Sequence, residues 1–312
     1  MSLTAFRESR PGTRLIFTGF VVLVVFLITQ FLAAIVAIPI FGFDALTGMM
    51  DGINHTDPES LKFLKFFQIS QTIGLFILPP LVLAWFFHPD ILEYLSLRRK
   101  PTLILSLMVL LLVLVISPFI NYTGAINAEM HFPEWLSGVE NWMRNAEDTA
   151  EQLVEAFLKV NGIGGLIFNL FMIAVLPAVG EELLFRGVIQ KLFTGMSGSH
   201  HWGIWLSAAL FSALHMQFYG FIPRMLLGGM FGYLLVWSQT LWLPILAHFI
   251  NNSAAVILMY MVDHDIISQE VEEFGTGTDG WLYALVSLVV GGFIFYRIKR
   301  QASRESVPEI QP

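Results

Sequence analysis

The segment PAVGEELLFRG, Pro177 to Gly187, places two adjacent glutamates and an arginine directly after the apolar run NGIGGLIFNLFMIAVL. On insertion scales a charge at mid-membrane costs about 2.5–3.5 kcal/mol, so three standing alone would cost roughly 8–10 kcal/mol. Helix geometry supplies part of the offset. Glu182 and Arg186 are four apart on one face, acid first, the favourable order for an ion pair. Glu181 lies about 100° around the helix and is left needing a proton, a water or a metal. A carboxyl group in that position is a candidate general base. Apolar residues resume at Leu183, Leu184, Phe185, Val188 and Ile189. A helix over 163–193 would run about 46 Å at 1.5 Å per residue, so the glutamates fall inside it rather than beyond it.

Two further apolar stretches carry matching polar groups. FSALH places His215 four residues after Phe211, and AHFINN places His248 four residues before Asn252, on the same helix face. Asn251 faces elsewhere. A single helical histidine is ordinarily a packing residue. Intramembrane ionisable groups, however, face a bundle interior or a water-filled cavity, and Glu181, Glu182, Arg186, His215, His248 and Asn252 on three spans can converge there. Carboxylate and imidazole suit proton transfer; an amide N–H and an imidazole suit an oxyanion.

The elements that must position these groups are membrane helices. The 312 residues are 55% hydrophobic and 13% charged, with mean hydropathy +0.68, against roughly 25% charged in soluble domains. There is no cysteine, which excludes disulfides and thiolate chemistry. The net charge of −7 is not that of a nucleic-acid-binding chain. The expected fold is all-α, a polytopic transmembrane bundle. Apolar runs near 14–42, 65–87, 103–122, 163–190, 203–219, 222–239, 241–262 and 281–298 predict eight spans. With the N-terminus inside, cytoplasmic segments hold eleven Lys and Arg residues and outer segments five, the direction of the positive-inside rule. An even count puts both termini in the cytoplasm. The outer loops are acidic, as in DHDIISQEVEEFGTGTD from Asp263. Three regions follow: N-terminal spans with an outer amphipathic segment (1–160), a helical core bearing the polar groups (161–262), and a last span with a basic tail (263–312). Within the outer segment, Leu136, Val139, Trp142 and Met143 recur at helical spacing, predicting a helix that lies on the membrane or caps the spans; recruitment of a substrate is the second reading.

The order EExxxR, FxxxH, HxxxN, each on its own span, resembles the CPBP family of intramembrane proteases, which includes the type II CAAX prenyl endopeptidases and the Abi-like proteins. The likeness rests on Glu181 to Arg186, Phe211 to His215 and His248 to Asn252, and covers about Ile163 to Met261. It implies hydrolysis of a peptide bond in a membrane-bound protein or peptide, by CAAX-type or leader-peptide processing, in a bacterial plasma membrane. Glu181 would activate water with His215, while His248 and Asn252 polarise the carbonyl; Glu182 and Arg186 would hold the helix. The family has also been called metalloprotease. Glu181, His215 and His248 with a water would form an acceptable zinc set, and the residues leave metal-activated and glutamate-activated water both open.

Other classes leave different signatures. HExxH is missing from the chain, against a zinc-helix protease. Gly195-Met196-Ser197-Gly198 spells GxSG but lies in a Gly/Ser-rich connection, where a turn explains it. An ion-coupled transporter would also bury Glu and His, and a silent scaffold or immunity protein would share the fold.

Overall fold

The computed structural model describes residues 6–48, 57–268, 271, 274–277 and 279–306. Among these the regular structure is helical, without strands. Nine principal helices are α1 (Pro11–Phe41), α2 (Pro58–Phe87), α3 (Leu103–Ala128), α4 (Ser137–Leu158), α5 (Gly162–Ser197), α6 (His200–Ala213), α7 (Phe221–Ser238), α8 (Trp242–Asp263) and α9 (Gly280–Ser306). The chain is an integral, multi-pass membrane protein. Seven helices, all but α4 and α6, are long and apolar enough to cross a bilayer, α7 with its preceding turn. Seven of the eight expected spans fall on these helices; the fifth falls on α6, whose 14 residues reach about 21 Å against a hydrocarbon core of about 30 Å before the chain enters the turn at 214–217. The acidic residues Glu270, Glu272 and Glu273 of the expected outer loop lie outside the described residues.

Three apolar clusters hold the bundle. Leu83, Phe87, Leu183, Val188 and Leu241 join α2, α5 and the start of α8. Leu105, Val109, Phe231, Leu243, Ala247 and Ile298 join α3, α7, α8 and α9. Leu184, Phe185, Ile189 and Phe211 pack α6 on α5. The outward sides of α1 and α9 keep Phe20, Phe31, Val289 and Phe293 exposed, as lipid-facing helices do.

Prolines leave their mark as π turns. Pro79 and Pro80 follow a turn in which Leu78 N–H bonds to Ile73 O, five residues back. Before Pro177, Leu176 N–H bonds to Phe171 O in the same way. A third π turn spans Arg186, with Gln190 N–H on Phe185 O. Such single turns re-aim side chains and recur at functional sites.

Helix α4 caps the bundle. Glu147 Oε2 accepts from Tyr219 N–H at 3.0 Å, and the Arg144 guanidinium lies 4.3 Å from the Tyr219 ring centre. Its C-terminal carbonyls are capped by other helices: Lys65 Nζ donates to Phe157 O (2.9 Å), and Asn169 Nδ2 to Phe157 O (2.8 Å) and Leu158 O (3.3 Å). A cation at that end also complements the helix dipole.

Candidate active site

The site grows from the middle of α5. Glu182, with 0% of its surface exposed, and Arg186, with 1%, form the i,i+4 pair that their spacing predicts: Arg186 Nη1 donates to Glu182 Oε1 at 2.8 Å. The same oxygen accepts from His248 Nδ1 on α8 at 3.0 Å. A carboxylate only accepts, so Nδ1 carries the proton, and Nε2 turns the other way. There it meets Glu181, whose Oε2 is 3.8 Å off, longer than a direct hydrogen bond. Glu181 is 9% exposed.

Arg186 is enclosed as well as paired. Its guanidinium lies 4.8 Å from the centre of the Phe211 ring and 5.5 Å from that of Phe231, and Nη2 donates to Gly228 O at 2.9 Å. One turn on, Gln190 Nε2 donates to Gly232 O at 3.3 Å. Two donors four apart on α5 thus meet two carbonyls four apart on α7. The approach requires glycine: a Cβ on Gly228 would lie 3.1 Å from Arg186 Nη2, and one on Gly232 would lie 2.7 Å from Gln190 Oε1. The same bare stripe admits α6, whose Ser207 Oγ bonds to Phe185 O at 3.1 Å.

Phe211 links the two histidines. Its ring is edge-on to His215 (4.8 Å between centres) and to His248 (6.1 Å), while Phe231 stacks on His248 at 5.5 Å. His215 lies just past the end of α6, exposed on the protein surface. Its Nδ1 donates to Phe211 O at 2.8 Å, leaving Nε2 as an acceptor. Asn252 lies a turn beyond His248, but its amide is already engaged: Nδ2 donates to Ile173 O at 3.1 Å, and Oδ1 accepts from Asn251. One Asn252 N–H remains.

Charge counting defines the state of the cluster. Glu182 and Arg186 cancel. Glu181 and His248 then form a neutral pair when they hold one proton between Oε2 and Nε2 besides the one on Nδ1. Buried charge favours that balance. Among the described residues no three His, Asp or Glu side chains are grouped as metal ligands. Glu181, His215 and His248 therefore do not fit a three-ligand zinc site in this arrangement.

Sequence reasoning missed five contributors. Phe231 walls both His248 and Arg186. Gly228 and Gly232 admit Arg186 and Gln190, and the GGMFG stretch was the available signal. Arg224, in the first turn of α7, donates to Gln217 Oε1 at 2.8 Å and to Gln217 O at 3.3 Å, pinning the turn that carries His215. Ile173 O is paired by Asn252.

Residues 163–254 match the family described as type II CAAX prenyl endopeptidase Rce1-like. That stretch holds all six polar residues and supports a CPBP-family intramembrane protease. The uncharacterized protein YpbD of Bacillus subtilis (strain 168) is 31% identical over 89 residues, 27% of this chain and 42% of that protein. The chain thus spans less than half the length of that relative. No solved structure matches.

Proposed function

With residues 163–254 carrying a core like that of the type II CAAX endopeptidases, we propose that this protein cleaves a peptide bond in a membrane-bound protein or peptide, using water activated by Glu181. The observation that supports it most is the approach of Glu181 to His248 Nε2 at 3.8 Å, above a Glu182–Arg186 pair that neutralises itself. Glu181 takes a proton from water as the water oxygen bonds to the scissile carbonyl carbon. His248, protonated on Nε2, and the free Asn252 N–H donate to the oxyanion. His215 Nε2 holds the water by its second hydrogen. As the C–N bond breaks, Glu181 returns the proton to the leaving nitrogen. Residues 161–262 form the catalytic core in this reading, flanked by 1–160 and 263–312.

Both termini lie in the cytoplasm on the charge bias of eleven against five. That requires α6 together with the turn 214–217 to complete a crossing, which sets His215 within the membrane.

The test is turnover of membrane-anchored reporter peptides, prenylated CAAX tails and leader-type segments, by the chain in liposomes. Glu181→Gln and His215→Ala should each abolish cleavage while leaving insertion and melting unchanged. Turnover retained in both variants overturns the mechanism. Ion flux without cleavage would establish the transporter reading; neither activity across the reporters would establish the scaffold.

A further inference from the structure

Beside the polar cluster lies a cleft of ≈ 700 Å³ that no step of the hydrolysis uses. One wall is the face of α4 that presents Asp148, Glu151 and Glu155; the opposite wall is α8 from Asn251 through Ala255 to Met259. Its lining residue Asn251 donates from Nδ2 to Asn252 Oδ1 at 3.2 Å, so the cleft borders the site at Asn252. Along α8 it runs from Asn251 to Met259, eight helical rises or about 12 Å, the length of roughly three to four residues of extended chain.

Its charge is one-sided. No lysine, arginine or histidine lines it. Glu155 pairs with Lys159 at 2.6 Å. Among the described residues Asp148 and Glu151 have no ion pair, and both are exposed toward the cleft side of α4. The facing wall offers Ala254, Ala255, Leu258 and Met259, small and flexible side chains that leave room for a backbone and apolar groups. An acidic wall opposite an apolar one complements a chain that alternates cations with apolar residues.

We propose that this cleft binds an extended polypeptide segment bearing lysine or arginine, and that it seats the substrate of the neighbouring site. The second half of that statement rests on the protease reading; the first does not. Entry in this reading runs along α4, on the side that the charge bias assigns to the exterior.

The experiment measures binding without turnover. Full-length Glu181→Gln protein in detergent is titrated with fluorescein-labelled hexapeptides alternating Lys with Leu or Glu with Leu, followed by anisotropy at low and high salt. The Lys peptide should bind at least tenfold more tightly at low salt. Asp148→Asn with Glu151→Gln, two exposed isosteric changes, should reduce that preference to about threefold or less. Because the chain has no cysteine, Ala255→Cys supplies a single thiol. A Lys peptide carrying an activated disulfide should label it at least tenfold faster than the Glu peptide, and a small neutral disulfide should show no such dependence on the two carboxylates. Equal binding of the two peptides, a preference untouched by neutralising Asp148 and Glu151, or equal labelling at position 255 overturns the proposal. Selective binding with no cleavage of any reporter would leave the cleft assigned and defeat the protease reading instead.

Discussion

Asn252 Nδ2 donates to the carbonyl of Ile173 at 3.1 Å, and that carbonyl belongs to the residue four before Pro177. In an α-helix Ile173 O would accept from the N–H of residue 177, which proline lacks. The side chain expected to stabilise an oxyanion therefore also repairs a gap in α5, and it ties α8 to α5 eight residues before Glu181.

The two roles of Asn252 separate in a double-mutant cycle. Asn252→Ala should destabilise by about 1–2 kcal/mol by leaving a partly buried carbonyl unpaired. The same change in a Pro177→Ala background should cost a few tenths of that, because the backbone then supplies the donor. Turnover should stay low in both backgrounds if the remaining N–H touches the oxyanion. Thermal melts in detergent and cleavage rates read the two effects. Full recovery of rate in the double variant would make Asn252 purely a helix tie.

Gly228→Ala should push Arg186 off its carbonyl. The new Cβ would meet Arg186 Nη2 and Ala208 Cβ, both at 3.1 Å. Overpacking of this kind costs about 1–3 kcal/mol. Gly232→Ala, which would place a Cβ 2.9 Å from Ile204 Cγ2 and 2.7 Å from Gln190 Oε1, should cost a similar amount. Gly292→Ala, where a Cβ meets nothing within 4 Å, should be neutral. Equal melting of all three would contradict the close α6–α7 seam.

What the sequence shows and what it hides follow from the range of each interaction. Glu182 and Arg186 announce themselves because their contact is one helical turn long. The bond from His248 to Glu182 bridges 66 residues, and no local pattern encodes it. The helical class was legible from apolar runs, but the run 203–219 hides the end of α6. Leu214, Met216 and Phe218 keep it apolar while the backbone turns, with Met216 at φ +56°. Hydropathy registers side chains and is blind to that turn. The tie from Asn252 to Ile173 had a sequence trace in Pro177, though nothing in the spacing identified the donor.

The start of α4 should be insensitive to mild acid. Glu140 accepts from Phe132 N–H at 2.9 Å, and from Arg144 and His131. The Phe132 N–H foremost, then Arg144 and His131, holds its carboxyl down at about 2 from the ordinary 4.5. A depressed folded value means the stabilisation is present above about pH 4.5 and is lost as pH falls through 2. Hydrogen exchange of the first turns of α4 should be unchanged, after correction for intrinsic rates, from pH 7 to 5 and should lose protection between 4.5 and 2. Glu140→Gln should remove that pH dependence. Loss of protection already at pH 6 would show that Glu140 is not the controlling group.

Glu182 is placed to be structural and orienting at once. Glu182→Met leaves Arg186 charged and unpaired among Phe211, Phe231 and a backbone carbonyl, and Arg186→Met strands the carboxylate; each should cost about 3–5 kcal/mol. Changing both to Met replaces the ion pair with apolar groups of similar length and should recover most of the stability, since such exchanges are often near neutral. Activity should not follow. In the double variant nothing accepts the His248 Nδ1–H, the ring loses its fixed orientation toward Glu181, and kcat should fall at least 100-fold with KM little changed. Stability is read from melts in detergent, and the ring from the His248 imidazole resonances. A stable double variant with parental kcat would show that Glu182 does no more than neutralise Arg186.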